Sequence, residues 1–224
     1  MSAESLRDLA RPELLAIVAL TLRVTGGALL IACLLGVPIG TMLGLVRFRG
    51  RRLVTLVLYT GMGLPPVVVG LFVYILLSRS GPLGSLQWLF TPAAMIAAQA
   101  VIAFPLVAAL TMSAVAGVDR AVHVQVVALG ASPLQNAWTV VREARVGVTA
   151  AVVAAFGAVI SEVGAVMLVG GNIEGQTRVL TTAIVLYTRQ GDFAMAMALG
   201  IVLIAVAFGA NLLLLRLQGR LGDR

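Results

Sequence analysis

Five apolar stretches constrain this chain more than anything else in it. They run roughly over residues 24–46, 53–77, 93–115, 147–168 and 193–215. About 20 helical residues cross the hydrocarbon core of a bilayer. Within lipid every backbone N–H and C=O must be partnered inside the protein, which favours helices. The chain is 60% hydrophobic and only 11% charged, and its mean hydropathy is +1.06. That composition excludes a water-soluble globular domain. The expected fold is an all-α membrane protein, with five transmembrane helices in a single domain over residues 1–224.

The first apolar stretch begins near Pro12, which is too long for one perpendicular helix, and Arg23 interrupts it. Residues 12–22 therefore read as an interfacial helix on the outer surface, with Arg23 reaching back to the headgroups. The alternative is one long tilted span. The segment Met1–Pro12 is polar and mixed in charge, unlike a cleavable signal peptide.

A net charge of +7 suggests an anionic partner such as nucleic acid, but topology accounts for it. All 16 basic residues are arginine. Arg47, Arg49, Arg51 and Arg52 share the first linker, Arg120, Arg142 and Arg145 the third, and Arg216, Arg220 and Arg224 the tail. The second and fourth linkers hold only Arg79, Arg178 and Arg189. Because cytoplasmic loops carry the arginine excess, the expected arrangement is a multi-pass protein of the cell (inner) membrane. Its N-terminus is outside, its C-terminus is cytoplasmic, and it has no nucleic-acid partner. Cys33 is the only cysteine, so no disulfide or cysteine-based metal site is expected.

Pro38, Pro65-Pro66 and Pro105 fall within spans. Proline frees a carbonyl, and in lipid that carbonyl needs a neighbouring helix or a water-lined cavity, as along a transport pathway. Prolines are also ordinary in membrane helices. Glu162 is the only formally charged residue inside the five stretches, which makes it a functional candidate by default. It adjoins Ser161, with Arg178 as a candidate partner. A carboxylate repels an anionic cargo, so a structural or gating ion pair is the better reading. Gln99, Thr111, Ser113, Thr181 and Thr182 could line a pathway or bond between helices, and Asn172 follows a Gly170-Gly171 turn near the outer end.

Between the third and fourth stretches lies a polar knuckle, Asp119 to Gly147. Asp119, Arg120, His123 and Gln125 belong to a short first helix. Gly130 stands where a helix ends in a left-handed residue. After Ala131, Ser132 reads as an N-cap, Pro133 as the first helical position, and Gln135 as the third residue of a capping box. Some thirty residues exceed what chain reversal needs, so the knuckle reads as a docking element. His123 reads as a solvated surface group.

Here the chain resembles a known family. Gly130-Ala131-Ser132-Pro133 before the penultimate span is similar to the Glu-Ala-Ala loop of ABC importer permeases. The Glu-Ala-Ala positions are occupied by Val124-Gln125-Val126, and the usual Leu-Pro end by Arg142-Glu143. Thr21-Leu22-Arg23-Val24-Thr25 with Gly36-Val37-Pro38-Ile39-Gly40 resembles the family's first span. Gly63-Leu64-Pro65-Pro66-Val67-Val68-Val69-Gly70 and Ser78-Arg79-Ser80-Gly81-Pro82-Leu83-Gly84 resemble the oxyanion branch, which carries tungstate, molybdate or sulfate. Arg142-Glu143-Ala144-Arg145, Ile160-Ser161-Glu162-Val163-Gly164-Ala165, and Gly170-Gly171-Asn172-Ile173 with Thr177-Arg178 and Thr181-Thr182-Ala183-Ile184 look closest to tungstate permeases.

The resemblance implies a type I importer fold of the MetI-like kind. Two copies of the chain would form the pore, with a pair of separate ATPase subunits and an extracytoplasmic substrate-binding protein as partners. ATP and Mg would sit on the ATPase, with no cofactor or metal on this chain. Residues 119–143 would form the coupling loop, with Asp119, Arg120, His123, Gln125, Gly130, Ala131, Ser132, Pro133 and Gln135 facing the ATPase. On the residues' own chemistry, Gln99, Ser161, Glu162, Asn172, Arg178, Thr181 and Thr182 are the gate or pathway candidates. The chain has no phosphate-binding loop and no lysine, so it is not expected to hydrolyse ATP. An intramembrane enzyme is disfavoured, because Ser161 and Glu162 point about 100° apart on a helix. A passive channel or ion-driven carrier would leave the knuckle unexplained.

Overall fold

The computed structural model describes residues 12–222. The polar N-terminal segment expected before Pro12 and the final two residues lie outside them. The first helix, α1, is Pro12–Leu45. Nothing between Leu22 and Val24 interrupts it, because arginine is a good helix former. Thr21 also stays within the helix, its hydroxyl donating to Ile17 O at 2.7 Å. Residues 12–22 are the first turns of α1, continuous with the rest of that helix. At 1.5 Å per residue α1 is about 51 Å long, well beyond the roughly 30 Å of bilayer hydrocarbon.

The second stretch is broken in two. Helix α2, Arg51–Met62, and helix α3, Pro66–Leu77, meet at 103°. Gly63-Leu64-Pro65-Pro66 causes the bend. Proline cannot continue a helix, and it pushes the residue before it into extended backbone. Pro65 takes φ −59° and ψ 122° at the cap, and Pro66 occupies the first helical position, where its missing N–H costs nothing. A 3-10 turn at Gly84–Leu86 then leads to α4, Pro92–Ala116, which runs unbroken through Pro105. Next come α5, Arg120–Ala128, α6, Pro133–Glu143, and α7, Arg145–Ile160. The last elements are α8, Gly164–Gly170, α9, Leu180–Arg189, and α10, Phe193–Gly222. Among the described residues three helices can cross a membrane alone, and up to five spans result if each bent pair counts as one.

Helix α4 is the axis of the bundle, packed against α1, α2, α3, α7 and α8. Its closest partner is α1, and glycine makes that approach possible. Gly36, Gly40 and Gly44 recur every fourth residue and so share one face of α1. A Cβ on Gly40 would strike the carbonyl oxygen of Ala108 and lie 2.9 Å from Thr111 Cβ. One on Gly44 would lie 2.6 Å from Val115 Cγ1, and one on Gly36 would lie 3.0 Å from Val107 Cγ1. Lipid tails are as apolar as leucine, so helices in a bilayer associate through such close packing rather than through apolar burial. Helix α3 crosses α8 in the same way, with Gly70 against the backbone of Ala165. At the end remote from the knuckle, Ile17 packs with Leu180, Ala183 and Leu199, joining α1 to α9 and α10.

Candidate functional site

Two features stand out: the knuckle, α5 and α6, and the break between α7 and α8. The knuckle's fold is written in its local chemistry. Asp119 Oδ1 accepts from Ala121 N at 2.8 Å and caps α5. At the far end Gly130 adopts φ 82°. Gly130 N donates to Val127 O at 3.0 Å and Ala131 N donates to Val126 O at 3.3 Å. This is the paired closure that ends a helix on a left-handed residue. Ser132 N then donates to Gln135 Oε1 at 2.8 Å, and Gln135 N donates to Ser132 Oγ at 3.3 Å, completing a capping box. His123 is half-buried rather than freely solvated. Its Nδ1 lies 3.0 Å from Oδ1 of the buried Asn136, which ties α5 to α6.

Inward, Val140 and Ala144 pack with Val115 at the end of α4, fixing the knuckle to the bundle. Outward, it presents an apolar surface. Leu129 is 87% exposed and Leu134 81%, with Val124, Val127 and Trp138 also exposed. Replacing Ser132 by alanine should cost the first turn of α6 about 1 kcal/mol. The amides of residues 134–136 should then exchange with deuterium about fivefold faster, with the rest of the chain unchanged.

The break at Ser161–Val163 lies about 24 Å along α7 from its start, within the depth of a bilayer. Irregular backbone is tolerated there only when its groups are partnered or line a cavity. Side chains from three parts of the chain provide the partners. Gln99 Nε2, on α4, donates to Val159 O at 2.9 Å. The Ser161 hydroxyl donates to Gly157 O at 2.8 Å. Glu162 Oε1 accepts from Ala165 N at 2.9 Å and so caps α8. The Thr181 hydroxyl, on α9, donates to Glu162 O at 3.0 Å. The structure therefore brings Gln99, Ser161, Glu162 and Thr181 together. Ser161 is exposed and Glu162 half-buried, so the break opens on one face of the bundle. Gln99 Oε1 is buried beside it without a partner.

The other candidates lie apart. Arg178 does not pair with Glu162; its guanidinium lies 3.3 Å from Glu174 and 3.9 Å from Glu13. The preceding loop sets this direction, with the Thr177 hydroxyl donating to Gly170 O at 2.6 Å and accepting from Ile173 N at 2.9 Å. Asn172 follows at φ 50°, and Thr182 bonds back to Val179 at the start of α9. Thr111 is fully buried opposite Gly40.

Sequence reasoning passed over Thr21, whose Oγ1 accepts from Leu180 N at 3.0 Å and joins the first helix to the ninth. It also passed over the small-residue spacing of Gly36, Gly40 and Gly44. That spacing was visible as a small-x-x-x-small pattern. Thr21 stood only as part of the Thr21–Thr25 resemblance, which gave no sign of its bond to Leu180.

Comparison with known proteins agrees with this arrangement. Residues 36–224 match the family described as the binding-protein-dependent transport system inner membrane component. A Haloferax volcanii protein named "Probable anion ABC transporter permease protein" is 43% identical, over 98% of this chain and 97% of its own. The tungstate uptake system permease protein TupB of Peptoclostridium acidaminophilum is 44% identical, over 92% of this chain and 91% of its own. Among solved structures, a chain of the inward-facing MetNI methionine ABC transporter superposes with a TM-score of 0.75 at 18% identity, covering 99% of each chain. The shared architecture is that of type I ABC importer permeases, and this chain belongs to the binding-protein-dependent transport system inner membrane component family.

Proposed function

We propose that this chain is the pore-forming permease subunit of an ATP-driven oxyanion importer, and that tungstate is its cargo. The knuckle carries the reading. A chain that otherwise sits in lipid spends two capped helices on a compact platform, and that platform exposes Leu129 and Leu134. Such a surface fits a protein partner, and in this family the partner is the ATPase. The cargo is argued from the strong similarity to a tungstate uptake permease across nearly the whole chain.

In this reading two copies of the chain enclose the pathway, and an extracytoplasmic binding protein delivers the anion. The arginine-rich linkers, the knuckle and the C-terminus face the cytoplasm. ATP and Mg act on the partner subunits, and closure of the ATPase pair pushes the knuckle and tilts the spans. The α7–α8 break faces the pathway and acts as its gate. Glu162 spends its carboxylate on the Ala165 amide rather than on the cargo. Glu162→Gln keeps an acceptor oxygen, so it should leave assembly intact while changing transport or its coupling to ATP hydrolysis. Unchanged uptake together with unchanged ATPase stimulation in reconstituted vesicles would sink that role.

The cargo is tested with vesicles holding the permease, its ATPase and its binding protein. ATP-dependent uptake of tungstate is expected, with molybdate and sulfate competing more weakly. Calorimetry on the binding protein should rank the three anions in the same order. Uptake that favours molybdate or sulfate would overturn the assignment to tungstate.

A further inference from the structure

Beside the knuckle, an apolar groove of about 590 Å³ runs between the last turns of α1 and helix α6. Its size falls within the roughly 300–1,000 Å³ usual for ligand sites. Pro38, Met42 and Val46 form one wall, and Leu134, Trp138 and Val141 the other. Several polar atoms bordering it are already engaged. The Thr41 hydroxyl donates to Val37 O at 2.7 Å, and His123 and Asn136 hold each other at 3.0 Å. The walls therefore offer contact to hydrocarbon and little to a polar ligand.

The chain that leaves the groove at Val46 has the opposite character. Val46 lines the groove, and Arg47, Arg49 and Arg52 follow it in the chain, all exposed. Arg51 turns back instead, its Nε donating to Leu43 O at 2.7 Å. No ion pair engages Arg47, Arg49 or Arg52 among the described residues, so their charge is left for something outside the chain. The groove also continues an apolar strip on α1, where Leu34, Leu35 and Met42 are exposed.

We propose that this groove binds an anionic phospholipid. One acyl chain lies between α1 and α6, and the phosphate rests against Arg47, Arg49 and Arg52. Basic clusters next to a membrane helix attract anionic headgroups, and tryptophan favours the headgroup level. The inference rests on the reading of the chain as membrane-spanning with the knuckle at the bilayer surface. It does not depend on the identity of the cargo. The lipid would brace the knuckle against α1 and make the coupling element sensitive to membrane composition.

The test uses the permease assembled with its ATPase in bilayers, with Trp88→Phe leaving Trp138 as the chain's sole tryptophan. A Trp88→Phe/Trp138→Phe counterpart supplies the background emission. Brominated phosphatidylglycerol should quench Trp138 with about fivefold higher apparent affinity than brominated phosphatidylcholine, the factor that one arginine near a lipid surface supplies. Arg47→Gln/Arg49→Gln/Arg52→Gln should abolish that preference and leave quenching by phosphatidylcholine in place. Equal quenching by the two lipids, or a preference that survives the arginine substitutions, overturns the proposal. So does shielding of Trp138 from both lipids, which would mean that the ATPase or a second copy of the chain covers the groove. Tungstate uptake is a separate readout, so failure of the cargo assignment leaves this result standing.

Discussion

Replacing Gly40 by leucine is expected to keep the bundle from forming. The position has no room for even one more carbon, because a Cβ there would collide with the Ala108 carbonyl and crowd Thr111. Two helix backbones would have to separate, and α1–α4 is the most extensive packing in the molecule. Gly40→Ala alone should cost about 1–3 kcal/mol, the usual range for overpacking a tight core. Leucine adds three further carbons and should remove most folded protein. Gly26→Leu is the control, since a Cβ there meets nothing within 4 Å. The measurement is the monodisperse yield in detergent together with the thermal transition of what remains. Wild-type yield and transition temperature for Gly40→Leu would refute the close-approach account of this interface.

Leu129→Asp with Leu134→Asp should do the reverse, sparing the fold and losing the function. Both side chains are more than four-fifths exposed, so their replacement removes little internal packing. If the knuckle docks on an ATPase, these leucines are its most protruding apolar groups. An interface hot spot costs about 2 kcal/mol or more when truncated. A charge in place of such a residue should therefore weaken association roughly 30-fold or more for each site. The double variant should purify as a folded permease without its ATPase and show no ATP-dependent uptake. Stoichiometric co-purification of the ATPase would place docking elsewhere on the chain.

The two experiments probe different kinds of information. The knuckle was legible in the sequence because its determinants are local. The Gly130 turn and the Ser132–Gln135 box act over three to five residues, and the structure contains both. His123 shows where locality ends. Its surroundings suggested a solvated group, yet it holds Asn136, thirteen positions away and on another helix. The bend at Gly63–Pro66 was legible as a break, but neither its 103° angle nor the packing of α3 on α8 through Gly70 was.

The candidate site divides in the same way. Glu162 was conspicuous as the one charge within the apolar stretches, and charge at membrane depth is costly enough to need a reason. Its actual partner, the Ala165 amide, is only three residues away. The expected partner, Arg178, is held toward Glu174 and Glu13 by a loop whose bonds run through Thr177.

The sequence by itself determined that this is a helical membrane protein with a capped knuckle and a break at Pro65-Pro66. Hydropathy, helix capping and proline sterics act within a turn or two of chain. Only the tertiary structure decided how the freed backbone groups are satisfied. Gln99 reaches Val159 across 60 positions, Thr181 reaches Glu162 across 19, and Thr21 reaches Leu180 across 159. In lipid no water can satisfy a broken helix, so the partners must come from whichever helices packing brings alongside.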